Sequence, residues 1–199
     1  MKYSKLSNTS FTATMKHLLL MAFAILTIGC GEKKSEDVNL DELEVREGVA
    51  YLKNSDSPYT GKFFEFHDNG QKKSEITLKD GKFDGPVVNW YENGQKEVEG
   101  NYKDGKVDGP AVTWYENGQK ESEANNKDGK FDGPLVSWYE NGQKLQVAEF
   151  KDGKLVTVKV WLPDGSDCPD TNVQDGNGIR VFYDEDGEET SRDEFKNGE

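Results

Sequence analysis

Apolar and polar residues alternate with a period of two inside short runs, and the runs themselves recur every 24 residues. Residues 80–96 read DGKFDGPVVNWYENGQK, residues 104–120 read DGKVDGPAVTWYENGQK, and residues 128–144 read DGKFDGPLVSWYENGQK. Fourteen of the seventeen positions agree in all three copies. Within a unit, one β-forming run (87–92) is followed by a second (96–103), with Asn93-Gly94, a strong hairpin signal, between them. The other connection, Asp-Gly-Lys-Phe-Asp-Gly-Pro, is a longer acidic loop with two glycines for positive φ. Its proline stands at the start of a strand, where no ladder donor is lost. The pattern predicts an all-β fold: an array of consecutive antiparallel β-hairpins forming an elongated twisted sheet. Each unit of such an array buries its apolar face only against its neighbours.

The array decays outward. Tyr59, Gly61, Phe66, Asn69, Gly70, Gln71 and Lys72 lie one period before Phe83, Gly85, Trp90, Asn93, Gly94, Gln95 and Lys96. Downstream, Asp152-Gly153-Lys154 restarts the unit, Trp161 and Gly165 follow near the expected spacing, and a last copy passes through Gly178, Tyr183 and Gly187 to Asn197-Gly198. Residues 49–199 therefore hold about six units with atypical ends, as capping an array requires. Residues 166–176 do not fit the period and read as an irregular loop.

Alternation chooses a hairpin register. A two-residue Asn-Gly turn would set Trp90 opposite Glu97. A three-residue loop, Glu92-Asn93-Gly94 with Gly94 left-handed, sets Val88 opposite Val98. In that register Val88, Trp90, Val98, Gly100 and Tyr102 share an apolar face, and Asn89, Tyr91, Glu97, Glu99 and Asn101 share a polar one. This second register is the expectation. It makes Phe66, Trp90, Trp114 and Trp138 a buried aromatic ladder, with Gly100, Ala124 and Ala148 leaving room for the rings; a strip that stacks sugar rings is the functional alternative. Tyr91, Tyr115 and Tyr139 then lie one period apart on the polar face, either as candidate interface anchors or as ordinary strand residues on a solvated surface.

Ahead of the array, Lys16-His17 precedes an apolar run (18–28) and then Gly29-Cys30. The run is too short to span a bilayer but suits the apolar region of a secretory signal. Ending at a small residue and a cysteine, it resembles a bacterial lipoprotein signal, with Thr27 where that family prefers Leu. The resemblance implies cleavage after Gly29 and acylation of Cys30. Met15 is a plausible start within the 1–29 segment. Gly31, in place of an aspartate, implies sorting to the outer membrane with its leaflet undecided. Residues 30–48 read as a flexible acidic tether, with a short helix around 40–45 as the competing reading. Two or more acyl chains make such an anchor stable.

The chain carries a formal charge of −13; losing 1–29 removes three Lys and no acid, which leaves −16. That argues against nucleic acid and against direct contact with anionic headgroups. The acidic excess serves solubility or a basic partner or cation. Of the two cysteines, Cys30 is assigned to lipid and Cys168 has no intramolecular partner, so no disulfide is expected. No acid, base or nucleophile stands outside the repeat in a constellation suited to catalysis; His67 merely fills the slot of Tyr91. No enzyme activity and no cofactor are expected. Asp80, Asp84, Asp104, Asp108, Asp128 and Asp132 superficially open a calcium loop. Lys82, Lys106 and Lys130 occupy its third, ligating position, and Tyr91 stands where its bidentate glutamate belongs, so no EF-hand is expected. Weak calcium binding by stacked aspartates is the remaining cation reading.

The Tyr-x-x-Gly-Lys-x-Asp-Gly and Trp-Tyr-Glu-Asn-Gly-Gln pattern over about 51–199 resembles the MORN repeat in its bacterial variant form. The resemblance implies hairpin architecture and no catalytic residues. Some bacterial relatives carry an antitoxin label, and eukaryotic relatives serve as scaffolds and membrane-junction modules. The expected function is a non-enzymatic module, lipid-anchored at the outer membrane, that presents a sheet surface to an unidentified protein. The alternatives are an antitoxin or immunity-type protein, and a cell-wall or polysaccharide binder. Pairing of sheet edges at the array ends would allow a homodimer.

Overall fold

The computed structural model describes residues 38–184 and 186–199. The signal segment, Met15, Cys30 and the first part of the tether lie outside the described residues. The strands are β1 (Val38–Asn39), β2 (Leu43–Arg46), β3 (Val49–Leu52), β4 (Gly61–Phe66), β5 (Lys72–Lys79), β6 (Lys82–Trp90), β7 (Lys96–Lys103), β8 (Lys106–Trp114), β9 (Lys120–Lys127), β10 (Lys130–Trp138), β11 (Lys144–Lys151), β12 (Lys154–Val160), β13 (Gly178–Tyr183) and β14 (Glu189–Phe195). Ten of them form one sheet in the order β1-β4-β5-β6-β7-β8-β9-β10-β11-β12. From β4 to β12 spatial order is chain order and every pairing is antiparallel; β1 adds a two-residue parallel contact to β4. This is the hairpin array the repeat predicts. β2–β3 and β13–β14 make separate two-stranded sheets. A 3-10 turn, Leu40–Glu42, is the one helical element among the described residues, and no helix there is long and apolar enough to cross a membrane.

Two kinds of turn alternate along the sheet. At one margin Asp80-Gly81, Asp104-Gly105, Asp128-Gly129 and Asp152-Gly153 each place two consecutive residues at positive φ (49° and 74° in the first). That is the signature of a two-residue type I′ hairpin. The expected long loop is therefore much shorter: Lys79 pairs with Lys82 across the turn, and the strand runs on through Asp84-Gly85-Pro86 with a local irregularity. At the other margin the Gly94 N–H bonds the Tyr91 carbonyl and the Tyr91 N–H bonds the Gln95 carbonyl, both at 2.9 Å, with Gly94 at φ 82°. This is the three-residue loop ending in a left-handed glycine that alternation favours.

The register beyond that turn corrects the sequence reading. Trp90 pairs with Lys96, but Asn89 pairs with Val98, so Glu97 is an extra residue. The same bulge recurs at Lys73, Glu121 and Leu145. One residue of slip exchanges the faces. Val87, Asn89 and Tyr91 now share a face with Val98 and Gly100, while Val88 and Trp90 share the other with Lys96 and Glu99. Val88 consequently lies opposite Glu99 and not Val98. The ladder Phe66, Trp90, Trp114 and Trp138 is not the buried core: Phe66 is 52% exposed and the three tryptophans are half-buried.

The core is a row running across nine strands, Phe63–Ile76–Val87–Gly100–Ala111–Ala124–Leu135–Ala148–Val158, each residue opposite the next. All are buried. Each large aliphatic or aromatic member contributes about 1.5–3 kcal/mol by leaving water. The small residues lie mid-array, and the large ones gather into two clusters toward its ends.

Each end is covered. Val38, Leu40 and Leu43 pack on the cluster of Ala50, Phe63, Ile76, Leu78 and Val87. Residues 38–48, expected to be tether, are thus part of the fold, because the first hairpin has no earlier repeat to cover it. At the far end β12 is bonded by Cys168 N–H to Val160 O (2.9 Å), Gly176 N–H to Val156 O (2.8 Å) and Leu155 N–H to Gly198 O (3.1 Å). Val173, inside the irregular 166–176 loop, is fully buried against this cluster. The loop also ends in register: Asp175-Gly176 repeats the paired positive φ values of the earlier Asp-Gly turns, and Asn197-Gly198 repeats them again.

Candidate functional site

Repetition stacks identical side chains, and the bulge decides where they stand. On the core face, beside the three-residue turns, His67, Tyr91, Tyr115 and Tyr139 form one row. The Tyr91, Tyr115 and Tyr139 hydroxyls donate to the carbonyls of Trp114, Trp138 and Trp161, at 2.6, 2.7 and 2.9 Å. His67 Nε2 makes the equivalent 2.8 Å contact with the Trp90 carbonyl, so the histidine does occupy a drifted repeat position. The tyrosines are therefore inter-repeat ties as well as surface groups. Tyr91 and Tyr115 are half-buried, whereas Tyr139 is buried, 5% exposed. Burial, reinforced by the charge of Glu97, pushes the Tyr91 phenol up to about 12; burial also raises Tyr139.

Next to the tyrosines run the bulge residues Lys73, Glu97, Glu121 and Leu145. Leu145 packs with Tyr139 in the core cluster, which fixes the side to which this position points. Glu97 and Glu121 are half-buried there. Burial raises both carboxyl pKa values; the Glu121 carboxylate also accepts from the Thr113 hydroxyl, which pulls the other way. Glu97 is drawn down by His67 and Lys73 and raised by Glu121. Among the described residues neither carboxylate forms an ion pair, although Lys73 pairs with Glu65 at 2.8 Å. A polar row of Ser74, Asn89, Thr113 and Ser137 lies just beneath, all buried. Asn89 Oδ1 and Ser137 Oγ have no protein partner. A strip that combines aromatic rings with half-buried carboxylates outside any ion pair favours a cationic, donor-bearing ligand.

The opposite face carries Phe66, Trp90, Trp114, Trp138 and, after them, Trp161. The Lys72, Lys96, Lys120 and Lys144 ammonium groups each stand over the ring of the following repeat, 5.4–5.8 Å from its centre. Lys72, Lys96 and Lys120 are each held by Glu75, Glu99 and Glu123, at 2.8, 2.6 and 2.6 Å.

The aspartates of the calcium reading tie successive turns of the stack together. Asp84, Asp108 and Asp132 accept the backbone N–H of Asp104, Asp128 and Asp152 at 3.2–3.3 Å, and Thr60 does the same for Asp80. Among the described residues no group of three or more His, Cys, Asp or Glu could hold a metal ion. Cys168 is buried and free, with Sγ 3.5 Å from Thr171 Oγ1.

The sequence reading put Tyr91 and Glu97 on one face but took that face as polar and solvated, and so missed that Glu97 and Glu121 stand half-buried on the core side. The available signal was Leu145, an apolar residue at the position where two other units carry glutamate.

Fold and stacked rows together define a β-hairpin repeat module. The model of the family described as MORN repeat variant matches residues 59–80, 83–104, 107–128 and 131–152, four consecutive repeats that coincide with the first four hairpins of the array. No curated protein matches the chain.

Proposed function

We propose that this protein is a non-enzymatic interaction module, held at the bacterial outer membrane by acyl chains on Cys30, that captures a protein partner through a basic segment. The contact is the strip of Tyr91, Glu97, Tyr115 and Glu121. One observation supports the reading above others. Two carboxylates stand half-buried, with burial opposing their charge and no ion pair to offset it. Titratable groups perturbed by burial cluster at functional positions. Tyrosine beside them supplies rigid contact area of the kind that anchors interfaces, and the acidic chain favours encounter with a basic partner.

In-cell cross-linking of the native lipoprotein, followed by mass spectrometry, tests this. One protein recovered in near-equal amount from wild type, and lost from a Glu97→Gln/Glu121→Gln variant, is the expected result. Capture of a toxin would place the protein among antitoxins within the same reading. Recovery of only lipid, glycan or self cross-links, or unchanged capture by the variant, would rule the reading out.

A further inference from the structure

We propose that the open tryptophan face is a binding strip for a neutral 1,4-β-linked glycan, with one disaccharide per repeat. All four tryptophans of the chain, Trp90, Trp114, Trp138 and Trp161, belong to this ladder. The register puts them opposite the core, half-exposed, so they are not spent on holding the sheet together.

Their spacing is set by the fold. Successive rings are two strands apart, which is about 9.6 Å at the usual strand separation. An extended 1,4-β-linked chain presents the same sugar face once per disaccharide, and its advance per disaccharide is close to that distance. The C–H bonds on a pyranose face then lie against the negative face of an indole.

Polar complementarity points the same way. Among the described residues no indole N–H of the four has a hydrogen-bond partner, and none is among the fully buried atoms left unpartnered, so each keeps some contact with solvent. The lysine ammonium groups beside the rings add further donors for hydroxyl or acetamido oxygens. The charges of Lys72, Lys96 and Lys120 are already matched by Glu75, Glu99 and Glu123, which leaves Lys144 as the one ladder lysine without such a partner among the described residues. Most of the ladder's charge is thus paired locally, on a chain of charge −13 that repels an acidic polymer. An uncharged polyhydroxyl chain is what remains complementary. This surface lies on the opposite face from the tyrosine–glutamate strip, so either proposal can fail without the other.

The full mature chain titrated with 1,4-β-linked N-acetylglucosamine oligomers of two, four and six sugars provides the test, read by tryptophan emission and calorimetry. Emission reports the ladder alone, because no tryptophan lies elsewhere. Affinity should rise by about tenfold or more from the disaccharide to the hexasaccharide, with little dependence on salt. Trp114→Ala should lower hexasaccharide affinity by about tenfold, while Trp114→Phe, which keeps a ring and guards against simple misfolding, should retain most of it. The proposal is overturned by an unchanged emission spectrum at millimolar hexasaccharide, by affinity independent of length, by binding that salt abolishes, or by binding that survives Trp114→Ala.

Discussion

Glu97 and Glu121 bear a charge that their surroundings oppose. Burial raises both carboxyl pKa values from the ordinary 4.5. A group whose folded pKa is raised contributes stability that is fully present below its unfolded value and is lost as pH rises through the folded one. At neutral pH both glutamates therefore weigh against the fold. Glu97→Gln/Glu121→Gln keeps shape and removes the charge, so it should melt a few degrees above wild type at about pH 7, and the gap should close near pH 4. Thermal melts at the two pH values check this. A wild type more stable than the variant at neutral pH would mean that attraction from His67 and Lys73 outweighs desolvation. Higher stability together with lost partner capture would be the exchange expected of a functional site.

Within the hairpin, one hydroxyl ties each unit to the next. Tyr91→Phe removes the bond to the Trp114 carbonyl at a half-exposed position and should cost about 0.5–1 kcal/mol; Tyr139→Phe removes the bond to Trp161 from a buried one and should cost about 1–2 kcal/mol. Urea denaturation distinguishes them, and equal costs would show that burial of the carbonyl is irrelevant. Much of this element was legible beforehand. The period gave the hairpins, and Gly94 gave the three-residue turn because only a left-handed residue closes it. The face assignment was not legible, because the bulge at Glu97 carries no turn residue and a glutamate reads as outward-pointing. Placing the tryptophans in the core followed from the same step: once Val88 was paired with Val98, the largest apolar residue had to follow it inward. The type I′ Asp-Gly turn was misjudged for a different reason. Asp84-Gly85-Pro86 adds breaker residues inside a strand, and they lengthened the apparent loop. Asp175-Gly176 shows the opposite error, a regular turn hidden at the end of an irregular segment.

At the scale of the whole array, stability is a sum of units and contacts between neighbours, because each hairpin pairs only with the next. Asp104 and Asp128 hold the same place in successive turns, with φ of 50° and 51°. Deleting residues 105–128 therefore joins Asp104 to Gly129 and rebuilds the same Asp-Gly turn. β7 would then pair with β10, setting Gly100 opposite Leu135 in place of Ala111, a small residue against a larger one. The N-terminal cluster is untouched, and the C-terminal one loses only Ala124; the segments that cover both ends remain. The shortened chain should fold and retain a cooperative transition, with a lower melting temperature and a urea m value reduced in proportion to the surface lost. A chain that failed to fold would show that the thin centre at Gly100 and Ala111 is a specific junction and not an interchangeable unit. The deletion also removes Trp114 and Lys120, bringing Trp90 and Trp138 to adjacent places on the ladder. If the rings each take one disaccharide, the oligomer length at which affinity stops rising should fall by one disaccharide, with the change per added disaccharide unaltered. An unchanged length dependence in the shortened chain would separate glycan binding from the ladder, whatever the affinity of the intact protein.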